Sequence, residues 1–399
     1  MNTRYSRWMT GLVSVTLLLG SGVARAETAT NIVDGVTTNV SGSYYVGNTG
    51  PANALIITNA GVLYGSSISY IGYGTGASNN SALVTGAGSI WTNSNLVLGY
   101  SGAGNQLSIQ NGGLVFAAMG YVGYNASSTG NTLLVNGSNS RFVSSSDLQF
   151  GVSGSGNQMT ISGGGLVNVV GTGYIGYNGG SSNNAVLVTG NNSVWSNASL
   201  IVGLGSSGNS LTLTNGGAVS VSANTVIGSY TGTGNNNVNL NGGTFTAGGL
   251  LEVRNGAVNI NGGNLTTVGT LLVTNNTASA TNAYFNFNSG TLTTDGAQLT
   301  APSGGAIALG NTAGQTANWN MLGGTNAISG HAALGNAAGA SANVLVSGAS
   351  TLWTTAATST RATPAARTTA PSPSPTARRS RTPMATLATL PVPATTPSS

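Results

Sequence analysis

Asparagine returns along most of this chain at a nearly constant interval, and this interval constrains the fold more than any other feature. Successive copies are 25 to 27 residues apart. They stand at Asn53, Asn80, Asn105, Asn131, Asn157, Asn184, Asn209 and Asn235. A chain this rich in glycine could be simple low-complexity sequence, but a fixed period indicates a repeat architecture.

Each repeat has the same internal pattern, as in the unit NSLTLTNGGAVSVSANTVIGSYTGTG that starts at Asn209. Leu211 and Leu213, and then Val219 and Val221, alternate with small polar residues, which is the period of a β-strand with one buried face. Asn-Gly-Gly and Gly-x-Gly between these runs supply the positive φ angles that tight corners need. Two or three short strands with corners between them describe one coil of a solenoid.

Stacking of such coils, about 4.8 Å apart, pairs every strand with its equivalents above and below. We therefore predict an all-β, right-handed parallel β-helix with about 26 residues per coil. The alternating residues Leu211, Leu213, Val219 and Val221, together with Ile227, should face inward. The recurring asparagines should stack on one corner and bond their copies in adjacent coils. An antiparallel β-sandwich is the structural alternative, although it does not require a constant period.

A second period of two coils is superimposed on the first. The motif Tyr-(Ile/Val)-Gly-Tyr begins at Tyr70, Tyr121 and Tyr174, and large rings stand between these copies at Trp91, Phe142 and Trp195. Two types of coil should therefore alternate along the axis.

The residue after each strand-ending glycine predicts a column of bulky side chains. It comprises Tyr73, Tyr100, Tyr124, Val152, Tyr177 and Leu204. Its four tyrosines have two interpretations, an aromatic ladder that seals a corner or a platform on which carbohydrate stacks. The ladder is favoured, because repetition alone places equivalent rings over one another.

Charge argues against a nucleic-acid partner, although the formal net charge is +5. Most arginines lie in the first 26 residues or after residue 360, and residues 28–360 contain only Arg141, Arg254, Asp34, Asp147, Glu252 and Asp295 as charged groups. This body is nearly uncharged and slightly acidic, which is not the pattern of a basic binding surface. The chain has no cysteine, so disulfides and thiolate metal sites are excluded.

A β-helical enzyme that cleaves polysaccharides is the rival functional class. Lyase chemistry requires carboxylates clustered around calcium and a base, whereas the acids here are isolated in sequence. A serine triad would have to use His331, the only histidine. Asp147 aligns with Asn95 and Ser199 of sister coils, which indicates repeat drift. We predict a non-enzymatic chain without catalytic, cofactor or metal sites.

The regularity of the coils varies along the chain. Residues 27–243 are regular, residues 244–334 form shorter and less regular units, and residues 335–355 return to the regular pattern. In the irregular part, Glu252 and Arg254 alternate with inward Leu251 and Val253. We expect an exposed ion pair of little energetic weight there.

The two ends differ from the repeats. Residues 1–26 contain Arg4 and Arg7, an apolar run over residues 12–19 and the small-x-small sequence Ala24-Arg25-Ala26. This run is shorter than the roughly 20 residues of a membrane-spanning helix, so we predict a signal peptide and export.

Residues 356–399 are rich in Pro, Thr, Ala, Ser and Arg and contain neither Gly nor Asn, which predicts a disordered tail. A shift of the reading frame changes this interpretation. If each new codon takes the last base of one present codon and the first two bases of the next, a Thr codon becomes one of the codons that include those for Asn. An Ala codon likewise becomes one of the codons that include those for Gly and Ser. In that frame residues 363–377 can read NTGGANNSTLTVTNG, which resembles the coil at residues 208–216. We predict that a frameshift near Ala356 interrupts the repeat array.

One stretch carries a family resemblance, GYIGYNGGSSNNAVLVTGNNSVWSNASLIVGLGSSGNSLTLTNGGAVS at residues 173–220. It resembles the repeat of type V secretion autotransporters and PEP-CTERM-associated surface proteins, and the similarity covers most of residues 53–241 and residues 335–355. The resemblance implies a β-helical passenger at the cell surface, in the outer membrane or outside the cell. Adhesion to surface glycans or to other cells, self-association and plain spacing are all compatible with the stiff, polar stalk that the repeats predict. The family's outer-membrane translocation domain or sorting tag is missing from this sequence, and the predicted frameshift accounts for that.

Overall fold

A computed structural model describes residues 30–230, 233–274, 283–301 and 306–356, with the backbone of two short strands at 24–26 and 360–361. Over these ranges the chain is a parallel β-solenoid of about 12 turns with about 26 residues per turn. The predicted all-β parallel fold is therefore confirmed. All pairings between its strands are parallel, and a single isolated antiparallel bridge joins Thr214 to Gly242. A membrane-spanning helix of sufficient length and apolarity does not occur within the same ranges.

The strands of the regular coils are short, and in some coils two of them merge into one. In chain order they are Ala24–Ala26 (β1), Thr30–Asp34 (β2), Thr37–Val40 (β3), Tyr44–Val46 (β4), Ala54–Thr58 (β5), Val62–Gly65 (β6), Ser69–Ile71 (β7), Ser81–Thr85 (β8), Ile90–Leu98 (β9), Gln106–Gln110 (β10), Leu114–Val122 (β11), Thr132–Asn136 (β12), Arg141–Ser144 (β13), Leu148–Phe150 (β14), Gln158–Ser162 (β15), Leu166–Ile175 (β16), Ala185–Thr189 (β17), Val194–Val202 (β18), Ser210–Thr214 (β19), Ala218–Val221 (β20) and Thr225–Ile227 (β21).

The later strands are less uniform in length. They are Asn236–Asn241 (β22), Thr244–Ala247 (β23), Leu251–Val253 (β24), Gly256–Thr267 (β25), Leu271–Val273 (β26), Ala283–Leu299 (β27), Ala306–Leu309 (β28), Thr316–Ile328 (β29), His331–Leu334 (β30), Ser341–Val346 (β31), Leu352–Thr355 (β32) and Thr360–Arg361 (β33).

Equivalent strands form long parallel ladders in which each residue lies over its copy. In one ladder Leu107 pairs with Leu133, which pairs with Met159. In strands such as β12 and β15 burial alternates from residue to residue, so one face of the strand contributes to a continuous apolar core. The five residues predicted to face inward, Leu211, Leu213, Val219, Val221 and Ile227, are at most 1% exposed.

The recurring asparagines form a buried ladder along one corner. The carboxamide oxygen of each accepts two hydrogen bonds from the asparagine of the preceding coil, one from its backbone N–H and one from its Nδ2, at 2.8 to 3.2 Å. An amide is tolerated in such a dry position only when its polar atoms are bonded. The predicted Asn corner is therefore also a hydrogen-bonded chain.

One member of this ladder was predicted at the wrong residue. Asn209 donates to Asn236 and not to Asn235. Asn235 has a φ of 56°, so it occupies the corner turn, and the next residue points inward. Two adjacent asparagines satisfy the same sequence period, and only the backbone turn distinguishes them.

The corner glycine before each motif's second tyrosine leaves room for this ladder. Gly123 has a φ of 65°, and a Cβ added there would lie 2.3 Å from Nδ2 of Asn157. Any other residue would therefore have a strained backbone at this φ, and its Cβ would collide with the buried amide of Asn157. The Tyr-x-Gly-Tyr motif thus requires glycine at its third position, because the asparagine ladder leaves no room there for a side chain.

The two-coil period arises from alternating side-chain volume inside the solenoid. Large residues at Phe142 and Leu148 belong to one coil, whereas the equivalent positions of the next coil hold Val167 and Gly173. The following coil is again large, with Trp195 stacked on Val167. A Cβ added to Gly173 would lie 2.4 Å from Oδ1 of Asn197 and 2.9 Å from Cζ2 of Trp195, so these two side chains of one coil fill space left by the glycine of its neighbour.

The regular spacing is interrupted in the later coils, where Leu309 pairs with Phe287, only 22 residues earlier. Asn259 donates to Asn239 across only 20 residues, whereas Asn286 donates to Asn259 across 27. In β31 and β32 the side chains are more exposed than in earlier coils, with Leu345 53% and Leu352 52% exposed. Most of the predicted signal peptide and of the predicted tail lies outside the described residues.

We expect Asn157→Ala to lower the free energy of unfolding by about 2 to 4 kcal/mol, because it leaves buried donors of Asn131 without an acceptor. Exposed Asn191 provides a matched control, and Asn191→Ala should change stability by less than about 0.5 kcal/mol. Denaturant unfolding of the two variants measures the difference. Equal midpoints would show that the ladder does not stabilise the fold.

We expect Gly173→Val to destabilise the protein by about 1 to 3 kcal/mol, because the added side chain enters the space of Asn197 and Trp195. The double variant Gly173→Val/Trp195→Val should lose less stability than the sum of the two single variants. A thermal unfolding cycle of the four proteins measures this coupling. Strict additivity would contradict the proposed sharing of volume between coils.

Candidate functional site: a tyrosine strip

Tyrosines cover one outer corner of the solenoid on both sides of the left-handed glycine. In the strand before the glycine, Tyr174 faces outward between buried Gly173 and Ile175. After the glycine, Tyr177 faces outward again and its N–H donates to the Gly151 carbonyl of the preceding coil. We define the tyrosine strip as Tyr45, Tyr70, Tyr121 and Tyr174 before the glycine, and Tyr73, Tyr100, Tyr124 and Tyr177 after it.

Rings within the strip contact one another along the solenoid axis. Tyr73 and Tyr100 are stacked with centroids 4.9 Å apart, and Tyr100 and Tyr124 are stacked at 5.0 Å. Tyr45 and Tyr70 form a parallel stack at 5.1 Å in the other column. These separations follow the spacing of the coils, about 4.8 Å, so in these three pairs a ring lies on the ring of the next coil.

The two columns also contact each other, with ring edges against ring faces. Tyr70 meets Tyr73 at 4.9 Å and Tyr100 at 5.8 Å, both near perpendicular. Tyr121 meets Tyr124 at 5.5 Å in the same manner. Such edge-to-face pairs are each worth about 0.5 to 1.5 kcal/mol beyond burial of area. The strip is therefore a packed aromatic layer whose members are half-buried.

Val97 takes the place of a tyrosine in the first column, between Tyr70 and Tyr121. Within the strip, one coil lacks both tyrosines. Gln149 pairs with Tyr121 on one side and with Tyr174 on the other, and Val152 occupies the equivalent corner position. Beyond this coil Tyr174 and Tyr177 form their own edge-to-face pair at 4.9 Å. The strip thus consists of a larger and a smaller group of rings.

Three phenols of the strip have a raised pKa. Burial is the main cause that raises the pKa of Tyr70, Tyr121 and Tyr174, and neighbouring tyrosines raise it further. The carboxylate of Asp147 adds to the increase at Tyr121 and Tyr174, while a hydrogen bond with Thr172 partly opposes it at Tyr174. These three phenols are therefore uncharged at neutral pH.

The structure places the predicted tyrosines Tyr73, Tyr100 and Tyr124 in one continuous stack, and Tyr177 in the same column beyond Val152. Sequence reasoning did not include the column Tyr45, Tyr70, Tyr121 and Tyr174. Its signal was present, because the first tyrosine of each Tyr-x-Gly-Tyr motif stands three residues before the second.

Asp147 has a structural role at the edge of the strip. It lies between Met119 and Thr172 in the coil stack, and its Oδ1 accepts the Thr172 N–H at 2.8 Å. Asn95 accepts the Met119 N–H in the same way at 3.2 Å. The alignment of Asp147 with Asn95 therefore corresponds to a shared hydrogen bond to the next coil, which either residue type can accept.

The expected exposed pair of Glu252 and Arg254 requires a correction. Leu251 and Val253 are buried as predicted, but Glu252 is only 8% exposed. Arg254 contacts both oxygens of this carboxylate, at 2.7 and 2.8 Å, and this hydrogen bonding raises the pKa of Arg254. Glu252 occupies the strand column that continues from Tyr174, where Val226 and Leu272 pack on either side of it.

Within the described ranges, no three His, Cys, Asp or Glu side chains converge on a point where they could hold a metal ion. His331 begins β30 and is half-buried there, far in sequence from Asp147 and Glu252. The ring cluster is thus the most distinctive surface arrangement among the residues described.

Comparison of the chain with protein-family models, with curated proteins and with solved structures gives no significant match. The resemblance to autotransporter-type passengers therefore stays a prediction from the repeat sequence.

We expect Asp147→Asn to lower the pKa of Tyr121 and Tyr174 and to leave that of Tyr70 unchanged, because the variant removes the charge but keeps an oxygen that can accept the Thr172 N–H. Ultraviolet or NMR titration of tyrosine ionisation measures the shift. Unchanged titration of both tyrosines would show that the carboxylate does not act on the strip.

The raised pKa values of Tyr121 and Tyr174 determine how the stability of the fold changes with pH. A tyrosine with a raised folded-state pKa favours folding below its ordinary pKa, and this contribution is lost as pH rises through the folded value. In Asp147→Asn the alkaline loss of stability linked to Tyr121 and Tyr174 should therefore be smaller than in the parent protein.

Proposed function

We propose that this chain is an exported, non-catalytic surface passenger, a stiff β-solenoid stalk that associates side by side with copies of itself through the tyrosine strip. The observation that carries the proposal is the half-buried layer of eight tyrosines along one corner of the solenoid. Aromatic residues are enriched where protein surfaces meet, because a ring gives large contact area at low conformational cost.

The orientation of the rings favours a protein contact over carbohydrate stacking. A sugar stacks on an open ring face, but in Tyr73, Tyr100 and Tyr124 the faces lie on each other. These three rings therefore leave mainly their edges for contacts with other molecules. A second copy offers a matching surface, since its polar and aromatic columns repeat at the same coil spacing.

The charge of the body supports association between like chains. Residues 28–360 contain two arginines and four acids, so the repulsion between two copies is weak. Small net charge promotes association of proteins in solution. Export and display at the cell surface rest on the predicted signal peptide and on the resemblance of the repeat.

We expect Tyr70→Gln/Tyr121→Gln/Tyr174→Gln to weaken concentration-dependent association by at least tenfold, measured by sedimentation of the purified chain. Glutamine is the residue that this column itself uses at position 149, so the coil geometry should be retained. The control Tyr64→Gln/Tyr284→Gln replaces exposed tyrosines away from the strip and should associate like the parent.

Two results would overturn self-association as the function. Association that persists in the strip variant would place the contact elsewhere on the solenoid. Binding of the parent to a glycan array, lost in the strip variant but not in the control, would instead identify the strip as a carbohydrate-binding surface.

A further inference from the structure

Phenol rings of neighbouring coils lie close enough in the strip for direct covalent coupling. The centroid separations are 5.1 Å for Tyr45 and Tyr70, 4.9 Å for Tyr73 and Tyr100, and 5.0 Å for Tyr100 and Tyr124. The planes within these pairs are nearly parallel, at 11°, 10° and 20°. Two rings joined by a carbon–carbon bond have centroids only slightly closer than this, so coupling requires rotation of the rings and little movement of the backbone.

We propose that the tyrosine strip is an oxidative cross-linking site, in which a haem peroxidase with hydrogen peroxide joins stacked tyrosines of adjacent coils as dityrosine. The three consecutive stacked rings Tyr73, Tyr100 and Tyr124 form the principal site. This inference does not depend on self-association, because each link forms within one chain.

The reaction balances with peroxide as the oxidant. Each of two phenols loses one electron and its hydroxyl proton and becomes a phenoxyl radical. The two radicals couple between the carbons ortho to the oxygens, and the hydrogen on each of these carbons then moves to the oxygen and restores the phenol. One ring–ring bond is formed, the protein loses two hydrogen atoms, and the two electrons and two protons reduce one hydrogen peroxide to two water molecules.

The arrangement favours links within a chain over links between chains. A radical on Tyr100 has a phenol stacked on each face, so its partner is present at a high effective concentration and need not arrive by diffusion. The strip rings are half-buried and still reach the surface, where an oxidant can act. Tyr64, Tyr230 and Tyr284 are 45%, 60% and 50% exposed, and the ring contacts found among described residues do not include them.

A cross-link here would join adjacent coils covalently. The chain contains no cysteine, so disulfides cannot provide this function. Each link would close a loop of one coil, which restricts the unfolded chain and should raise the thermal midpoint of unfolding.

The test oxidises the purified full chain with peroxidase and hydrogen peroxide, at a dilution where sedimentation shows monomers. Digestion with a protease that cleaves after small aliphatic residues, followed by mass spectrometry, should identify peptides that join Tyr100 to Tyr73 or to Tyr124 and that have lost two hydrogen atoms. The oxidised monomer should also unfold at a higher temperature than the untreated protein.

Two substitutions make the assignment specific. Tyr100→Phe keeps the stacked ring but has no hydroxyl group to oxidise, so both Tyr100 links should disappear while the protein remains folded. Tyr64→Phe should leave the yield of links at Tyr100 unchanged. Absence of dityrosine in the monomer, or dityrosine found only between chains at Tyr64, Tyr230 and Tyr284, would overturn the proposal.

Discussion

The constant separation of neighbouring coils, fixed by parallel backbone pairing at about 4.8 Å, is the constraint on which the rest of this structure depends. An asparagine carboxamide spans this distance, so Asn131 bonds Asn157 twice, at 2.9 Å each time. A flat aromatic ring also fits it, as the 4.9 Å separation of Tyr73 and Tyr100 demonstrates. Side chains that match the spacing form ladders whenever the sequence repeats them at one position of the coil.

The main features of the fold could be predicted from the sequence because the same residue pattern recurs in many coils. Alternation at Leu211 and Leu213 recurs at the equivalent positions of other coils, so one ambiguous unit does not change the prediction. The two-coil period was also visible, but its cause was not. Volume is shared between Trp195 and Gly173, which belong to different coils, and a contact of this kind cannot be read from one unit of sequence.

Features that depend on the path of the backbone were harder to predict. Asn235 and Asn236 both fit the period, and the left-handed turn at Asn235 decides which of them is buried. Glu252 was expected at the surface because it is charged, yet its column is shielded by neighbouring coils and by Arg254. The first tyrosine of each motif was omitted from the candidate site because the sequence does not give the angle of the corner, which brings Tyr70 against Tyr73.

In a solenoid of this kind, function should be sought in columns and in their interruptions. A globular enzyme brings distant residues together in a pocket, but here parallel stacking brings together residues that occupy equivalent positions in successive coils. A single acid such as Asp147 therefore acquires neighbours that carry no complementary chemistry, whereas one repeated tyrosine produces an extended surface. The interruption at Gln149 shows that the fold does not require a ring at each coil. Because the fold accommodates glutamine at that position, backbone pairing does not dictate tyrosine there, and the ring contacts of the strip come from the side chains themselves.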